Sequence, residues 1–317
     1  MREYILKRIL ISIPALIGVS LAIFSLIRVV PGDAVVAMVG DVGVMGKDQE
    51  AKIRHELGLD RPFVNQYFTW TGGLIRGDMG DSMWTGQPVF NEIKRTFPVS
   101  FELALFALIV AMLVAIPIGI MSAVRQDTPI DYIGRFISIG GLSIPDFWLG
   151  TMILVFLSIW LHWIPPVVFI SIKEDPASNL KQYVLPSLIL GFRLSATSMR
   201  MTRSSMLEVL REDYIRTAWA KGLKERVVIA RHALKNAFIP VVTIVGAQAG
   251  YLLGGTVIIE SIFGLPGMGR LTLDAIIHRD YPQIQANVML VAVIMVVSNL
   301  LVDLSYGWLD PRIRYKR

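Results

Sequence analysis

Several stretches of this chain are too long and too apolar to sit comfortably in water. A run of about 18 or more apolar residues with few charges is read as a membrane helix, because lipid offers backbone amides no partner outside their own helix. Six spans fit the pattern: residues 9–30, 98–124, 133–160, 183–203, 238–259 and 284–306. Charged residues make up only 18% of the 317, below the roughly 25% of soluble domains. The expectation is an all-α membrane protein with six transmembrane helices in a single domain over residues 1–317.

The first span follows Arg2, Lys7 and Arg8, as a secretory signal would. Its apolar run is longer than the ~7–15 residues of a signal peptide and has no small-residue cleavage site. It reads as a retained helix. The remaining short loops place Lys and Arg on one side, as the positive-inside rule requires of the cytoplasm. Both termini then lie in the cytoplasm, and the acid-rich segment 31–97 forms a small extracytoplasmic subdomain with a helix over 49–59. The net charge of +6 is dispersed over several loops, which argues for membrane lipid and against nucleic acid. There are no cysteines, hence no disulfides or thiolate metal sites. The four histidines (His55, His162, His232, His278) are scattered, without metal-ligand spacing.

The inner segment 205–237 carries its own helical pattern. Leu207, Leu210, Tyr214 and Ala218 recur at three- and four-residue spacing, Gly222 interrupts, and Val227, Ala230, Leu234 and Phe238 form a second stripe. Periodicity alone describes two short helices lying on the inner membrane surface, anchored to acidic lipid. Pro240 is expected in the first turn of the fifth span, where its missing N–H costs nothing.

The residues themselves say more. Arg216-Thr-Ala-x-x-x-Gly222 has the spacing of the E-A-A-x-x-x-G loop of ABC importer permeases. The longer string Asp213-Tyr-Ile-Arg-Thr-Ala-Trp-Ala-Lys-Gly-Leu223 resembles the dipeptide/oligopeptide/nickel branch, in which Arg216 and Thr217 stand for the Glu and first Ala. Further signatures follow in order: Gly77-Asp-Met-Gly-Asp-Ser82, Ser143-Ile-Pro-Asp-Phe-Trp-Leu-Gly150, Glu260-Ser-Ile-Phe-Gly-Leu-Pro-Gly-Met-Gly-Arg270 and Arg279-Asp-Tyr-Pro282. The resemblance covers nearly the whole chain.

That resemblance implies an importer subunit in a prokaryotic cell membrane, carrying peptides or a related small solute. Its partners would be a homologous second permease, two ATP-binding-cassette ATPases and an extracytoplasmic binding protein. No G-x-x-x-x-G-K-[ST] loop exists here, so ATP and Mg belong to the ATPases, and this chain is expected to be no enzyme and to bind no cofactor. The resemblance makes Asp213, Tyr214, Arg216, Thr217, Ala218, Trp219, Lys221, Gly222 and Leu223 the loop that couples to the ATPase. Asp146 and Arg193 fall inside expected spans, where a charge costs about 2.5–3.5 kcal/mol. They form either a structural pair or part of the translocation path. Glu260 is expected at the outer interface, facing the second permease or the binding protein. An ion-gradient-driven secondary transporter would also explain Asp146, but not the coupling loop.

Overall fold

The computed structural model describes residues 2–29, 60–166 and 168–309. The expected helix over 49–59 and the basic tail 310–317 lie outside the described residues. Regular structure among the described residues is helical, apart from one isolated bridge between Asp81 and Pro88. In chain order the helices are α1 (Arg2–Val29), α2 (Phe63–Ile75), α3 (Val89–Val124), α4 (Pro129–Ser143), α5 (Asp146–Leu161), α6 (Pro176–Leu210) and α7 (Asp213–Ala220). They continue with α8 (Glu225–Val227), a π-helical turn (Val228–Ala233), α9 (Leu234–Gly255), α10 (Val257–Phe263), α11 (Met268–Ile277) and α12 (Tyr281–Leu309).

The core is the seam between α3 and α6. Leu103, Ala104, Ala107 and Ala111 of α3 pack with Tyr183, Ile189, Leu190 and Leu194 of α6. Lipid tails are as apolar as leucine, so helices in a membrane gain by close backbone approach at small residues. A Cβ on Gly191 would stand 2.6 Å from Val110 Cγ1, and one on Gly119 2.7 Å from Thr202 Cβ. Alanine at either position would push the seam apart. Asp175 starts α6 as an N-cap, accepting from Ala177 N at 3.0 Å and Ser178 N at 3.2 Å, and from Ser178 Oγ at 2.6 Å. The Ser178 hydroxyl, seconded by these amides, holds the Asp175 carboxyl below the usual carboxylate range.

Among the described residues, four helical segments are long and apolar enough to cross a membrane: Leu6–Leu26, Val89–Val124, Glu225–Gly254 and Tyr281–Tyr306. The third expected span is not one straight helix. Pro145 forces Ile144 into an extended conformation (φ −94°, ψ 119°), so α4 ends there and α5 leaves at 95°. The two together would make a fifth span.

The fourth expected span lies within α6, which is 35 residues long but falls short of the apolarity of the other spans. Its surroundings explain the composition. Ser187, Ser195, Ser198 and Thr202 are buried against neighbouring helices, and Ser198 Oγ bonds Gln248 Oε1 of α9 at 3.1 Å. A helix enclosed by protein has no need of a fully apolar surface.

The inner loop differs from expectation in two ways. Leu207 and Leu210 belong to α6, which ends before α7, so the anticipated four-residue stripe is split between two helices. The second stripe does not lie on the membrane as a separate helix. It runs from Glu225 through the π turn into the fifth span without a break. Pro240 is therefore interior to a helix rather than in its first turn. Hydrophobic periodicity reports which face is buried; Gly222 does separate two helices, but the second has no boundary before the fifth span.

Candidate functional site

An eight-residue helix does not persist alone, because nucleation is too costly for so few hydrogen bonds. What holds α7 is burial of Ile215 and Ala218 against Met206 of α6, Val228 and Ala233 of the π turn and Ala237 of α9. Asn236 Nδ2 also donates to the Tyr214 hydroxyl at 2.8 Å. The opposite face is bare. Asp213, Arg216 and Thr217 are exposed there, Trp219 is exposed at its edge, and among the described residues Arg216 pairs at 3.1 Å only with Asp213 of its own helix.

The end of α7 is closed by its own backbone. Gly222 N donates to Trp219 O at 2.9 Å and Leu223 N to Ala218 O at 3.4 Å, the pairing of a Schellman cap. Lys221 is the cap residue, and Leu223 packs back into the cluster that holds Ala218. Gly222 sits at φ +75° with nothing within 4 Å of a built Cβ, so backbone conformation, not space, requires glycine there. The structure thus collects every residue of the expected coupling loop, from Asp213 through Thr217 to Leu223, into one capped helix with a docked face and a free face.

The second place is the elbow between α4 and α5. Asp146 occupies the first turn of α5, its Oδ1 accepting from Phe147 N at 3.0 Å. Its Oδ2 accepts from Arg193 Nη1 at 2.8 Å, so the two expected intramembrane charges do meet. The Arg193 side chain stays 43% exposed. Both line a cavity of about 360 Å³ with Ser143, Pro145 and Tyr251. Tyr251 was not singled out in the sequence; on a long apolar helix its hydroxyl carries no signal of its own.

The Glu260 side chain does not face outward to a partner. It is fully buried, and its carboxylate accepts from Ser100 Oγ at 2.6 Å, Thr256 Oγ1 at 2.7 Å and Arg270 N at 2.9 Å. The glycine-rich signature around it is a cradle: a Cβ on Gly267 would lie 2.4 Å from the Glu260 carboxyl carbon. Buried carboxylates need such partners, and the sequence could not reveal that Ser100 supplies one from 160 residues away.

Two further clusters went unread. Asp280 is buried and accepts from Ser82 Oγ and from Met83 N at 3.1 Å, joining two of the sequence signatures, while Trp84 stacks on His278 at 3.7 Å. Asp131 is fully buried where α3, α4 and α6 converge. It accepts from Arg203 Nε at 2.7 Å and Nη2 at 2.8 Å, from Arg135 Nη2 at 2.9 Å, from Asp127 N at 3.0 Å and from the Ser122 hydroxyl. An acid in the first turn after Pro129 reads as a helix-dipole residue, which hides a partner 72 positions away.

Residues 115–315 match the family model described as the binding-protein-dependent transport system inner membrane component, and residues 1–104 match the model of its N-terminal part. The chain is 40% identical over 343 aligned positions to the dipeptide transport system permease protein DppB of Escherichia coli (strain K12), covering all of both chains. It is 41% identical to the protein of the same name in Alkalihalophilus pseudofirmus, over 99% of this chain and all of that one. It is also 40% identical to the glutathione transport system permease protein GsiC of Pectobacterium atrosepticum, over the full length of both.

Proposed function

The chain belongs to the family of inner-membrane components of binding-protein-dependent transport systems, and from that premise we propose that α7 is the point at which an ATPase subunit drives it. It is a multi-pass inner-membrane permease subunit of an ATP-driven importer, and not itself an enzyme. Such a system includes ATPases and a binding protein, and the reading of a gradient-driven transporter falls with that membership. Short peptides, dipeptides or glutathione-like molecules, are the proposed cargo, since the relatives are permeases for dipeptide and glutathione.

The proposed arrangement has six spans: α1, α3, the bent α4–α5 pair, α6, the run from α8 to α9, and α12. Both termini and α7 lie in the cytoplasm, and the segment 31–97 lies outside with the binding protein. A second, homologous permease and a pair of ATPases complete the assembly. The observation that carries the coupling role is the two-sided character of α7: Ile215 and Ala218 fix it to the bundle, while Asp213, Arg216, Thr217 and Trp219 remain outward. A helix clamped on one face moves as one body with the spans it is clamped to. Nucleotide can shift those spans only by as much as it stabilises one state over the other. Asp146, Arg193 and Tyr251 are proposed to line the path, offering opposite charges to the termini of a zwitterionic peptide.

Gly222→Pro tests the coupling. Proline fixes φ near −65° and cannot adopt +75°, so the cap must open while the spans are untouched. The expected result is normal membrane insertion and continued ATP hydrolysis by the assembly, with uptake reduced by roughly tenfold or more. Uptake at the normal rate would sink this reading.

A further inference from the structure

One groove is used by neither the coupling helix nor the polar cavity. It holds about 360 Å³ between α3, α4 and α6, and Ile139, Leu142 and Met199 give it apolar walls. Ser138 Oγ donates to Ala196 O at 2.8 Å and Asp131 meets Arg203, so α4 and α6 run in opposite directions along it. Arg135, Arg200 and Arg203 therefore gather towards the Asp131 end, and Leu142 lies towards the other.

The charges there do not cancel. Asp131 and Asp127 are the carboxylates that pair with Arg135 and Arg203. Arg200 is exposed and has no acidic partner among the described residues. Three guanidinium groups thus face two carboxylates, leaving one positive charge at the end of the groove. Arg135 adds a second mark, because its Nε is buried without an acceptor.

We propose that this groove binds one anionic phospholipid of the cytoplasmic leaflet, its phosphate on Arg135 and Arg200 and an acyl chain along Ile139 and Leu142. Arginine forks match phosphate oxygens geometrically, and basic pockets between helices on the cytoplasmic side suit such headgroups. Ile139 and Leu142, which line the groove, are themselves exposed, so on the proposed topology its mouth faces hydrocarbon instead of water. A soluble anion would leave those walls empty. The leaflet assignment rests on the six-span topology proposed above.

The test uses the assembled transporter in phosphatidylcholine nanodiscs carrying traces of spin-labelled phosphatidylglycerol or spin-labelled phosphatidylcholine. The expected result is preferential immobilisation of the glycerol lipid, falling about fivefold in Arg200→Gln and retained in Arg200→Lys. Arg200 is exposed, so neither variant disturbs packing. Equal immobilisation of the two lipids, an unchanged preference in Arg200→Gln, or displacement by inorganic phosphate alone would each overturn the proposal. So would cross-linking of Ile139→Cys to the second permease, which would show the groove filled by protein. Topology is checked apart, by labelling Lys221→Cys in a chain with no native cysteine, using an impermeant maleimide on sealed and opened vesicles.

Discussion

Two aspartates on either side of the α4–α5 elbow each hold an arginine of α6, and they do so on opposite terms. Asp131 is wholly enclosed, and both of its oxygens are filled by two arginines, a serine hydroxyl and a backbone amide. Asp146 keeps one arginine through a single bond and one amide of its own helix, beside an open cavity. The chemistry is the same; the number of free acceptor positions differs. A saturated carboxylate can only hold structure. One with spare lone pairs towards solvent can exchange partners with a passing solute.

The contrast is broken most severely at Asp131. In Asp131→Ala two arginines lose a common buried partner, and removing one member of such a network costs about 3–5 kcal/mol. The expected outcome is loss of folded subunit from the membrane, or a large drop in the thermal midpoint of what is solubilised. Arg203→Lys probes the same site more gently. Lysine cannot reproduce the two-pronged contact, and the loss of one charged hydrogen bond is worth about 1.5–3 kcal/mol.

Asp146→Asn should produce the smallest change in stability, about 0–1 kcal/mol, because Arg193 is 43% exposed and solvent screens the pair. Transport should fall nonetheless. Comparing uptake with denaturation midpoints across these variants sharpens the distinction: Asp131 changes should move both together, and Asp146 changes should move uptake alone. The exchange Asp146→Arg with Arg193→Asp decides the remaining question. Recovery of assembly and of transport together would make that pair structural as well.

What could be read from the sequence divides along the same physical line. Apolar length located the segments in α1, α3, α9 and α12, and the string from Asp213 to Leu223 located α7, because both are local properties. The sharp bend was missed although Pro145 was in plain view. A proline marks where a helix can stop, but the direction in which the chain leaves is set by packing of α5 against α6 and α10. The run from Glu225 into α9 reads in the sequence as a surface helix followed by a span, yet its charged ends extend from a helix that simply continues. The sequence places Glu260 at the outer interface, towards a partner, because nothing local to it shows what its carboxylate bonds. Its partners on α3 and after α10 are too distant in sequence to be anticipated. Asp131 is hidden in the same way by the distance to Arg203.

The cradle around Glu260 also constrains the order in which this protein can vary. A methyl group at position 267 would overlap a carboxylate that bonds α3, α11 and the cap of its own helix. Shortening the acid first, by Glu260→Asp, withdraws that carboxylate and makes room, whereas Gly267→Ala first meets a filled space. The two positions are thus epistatic, with one passable route between their states and one steep one. A pair of single variants and their double, compared for membrane abundance, would reveal that asymmetry.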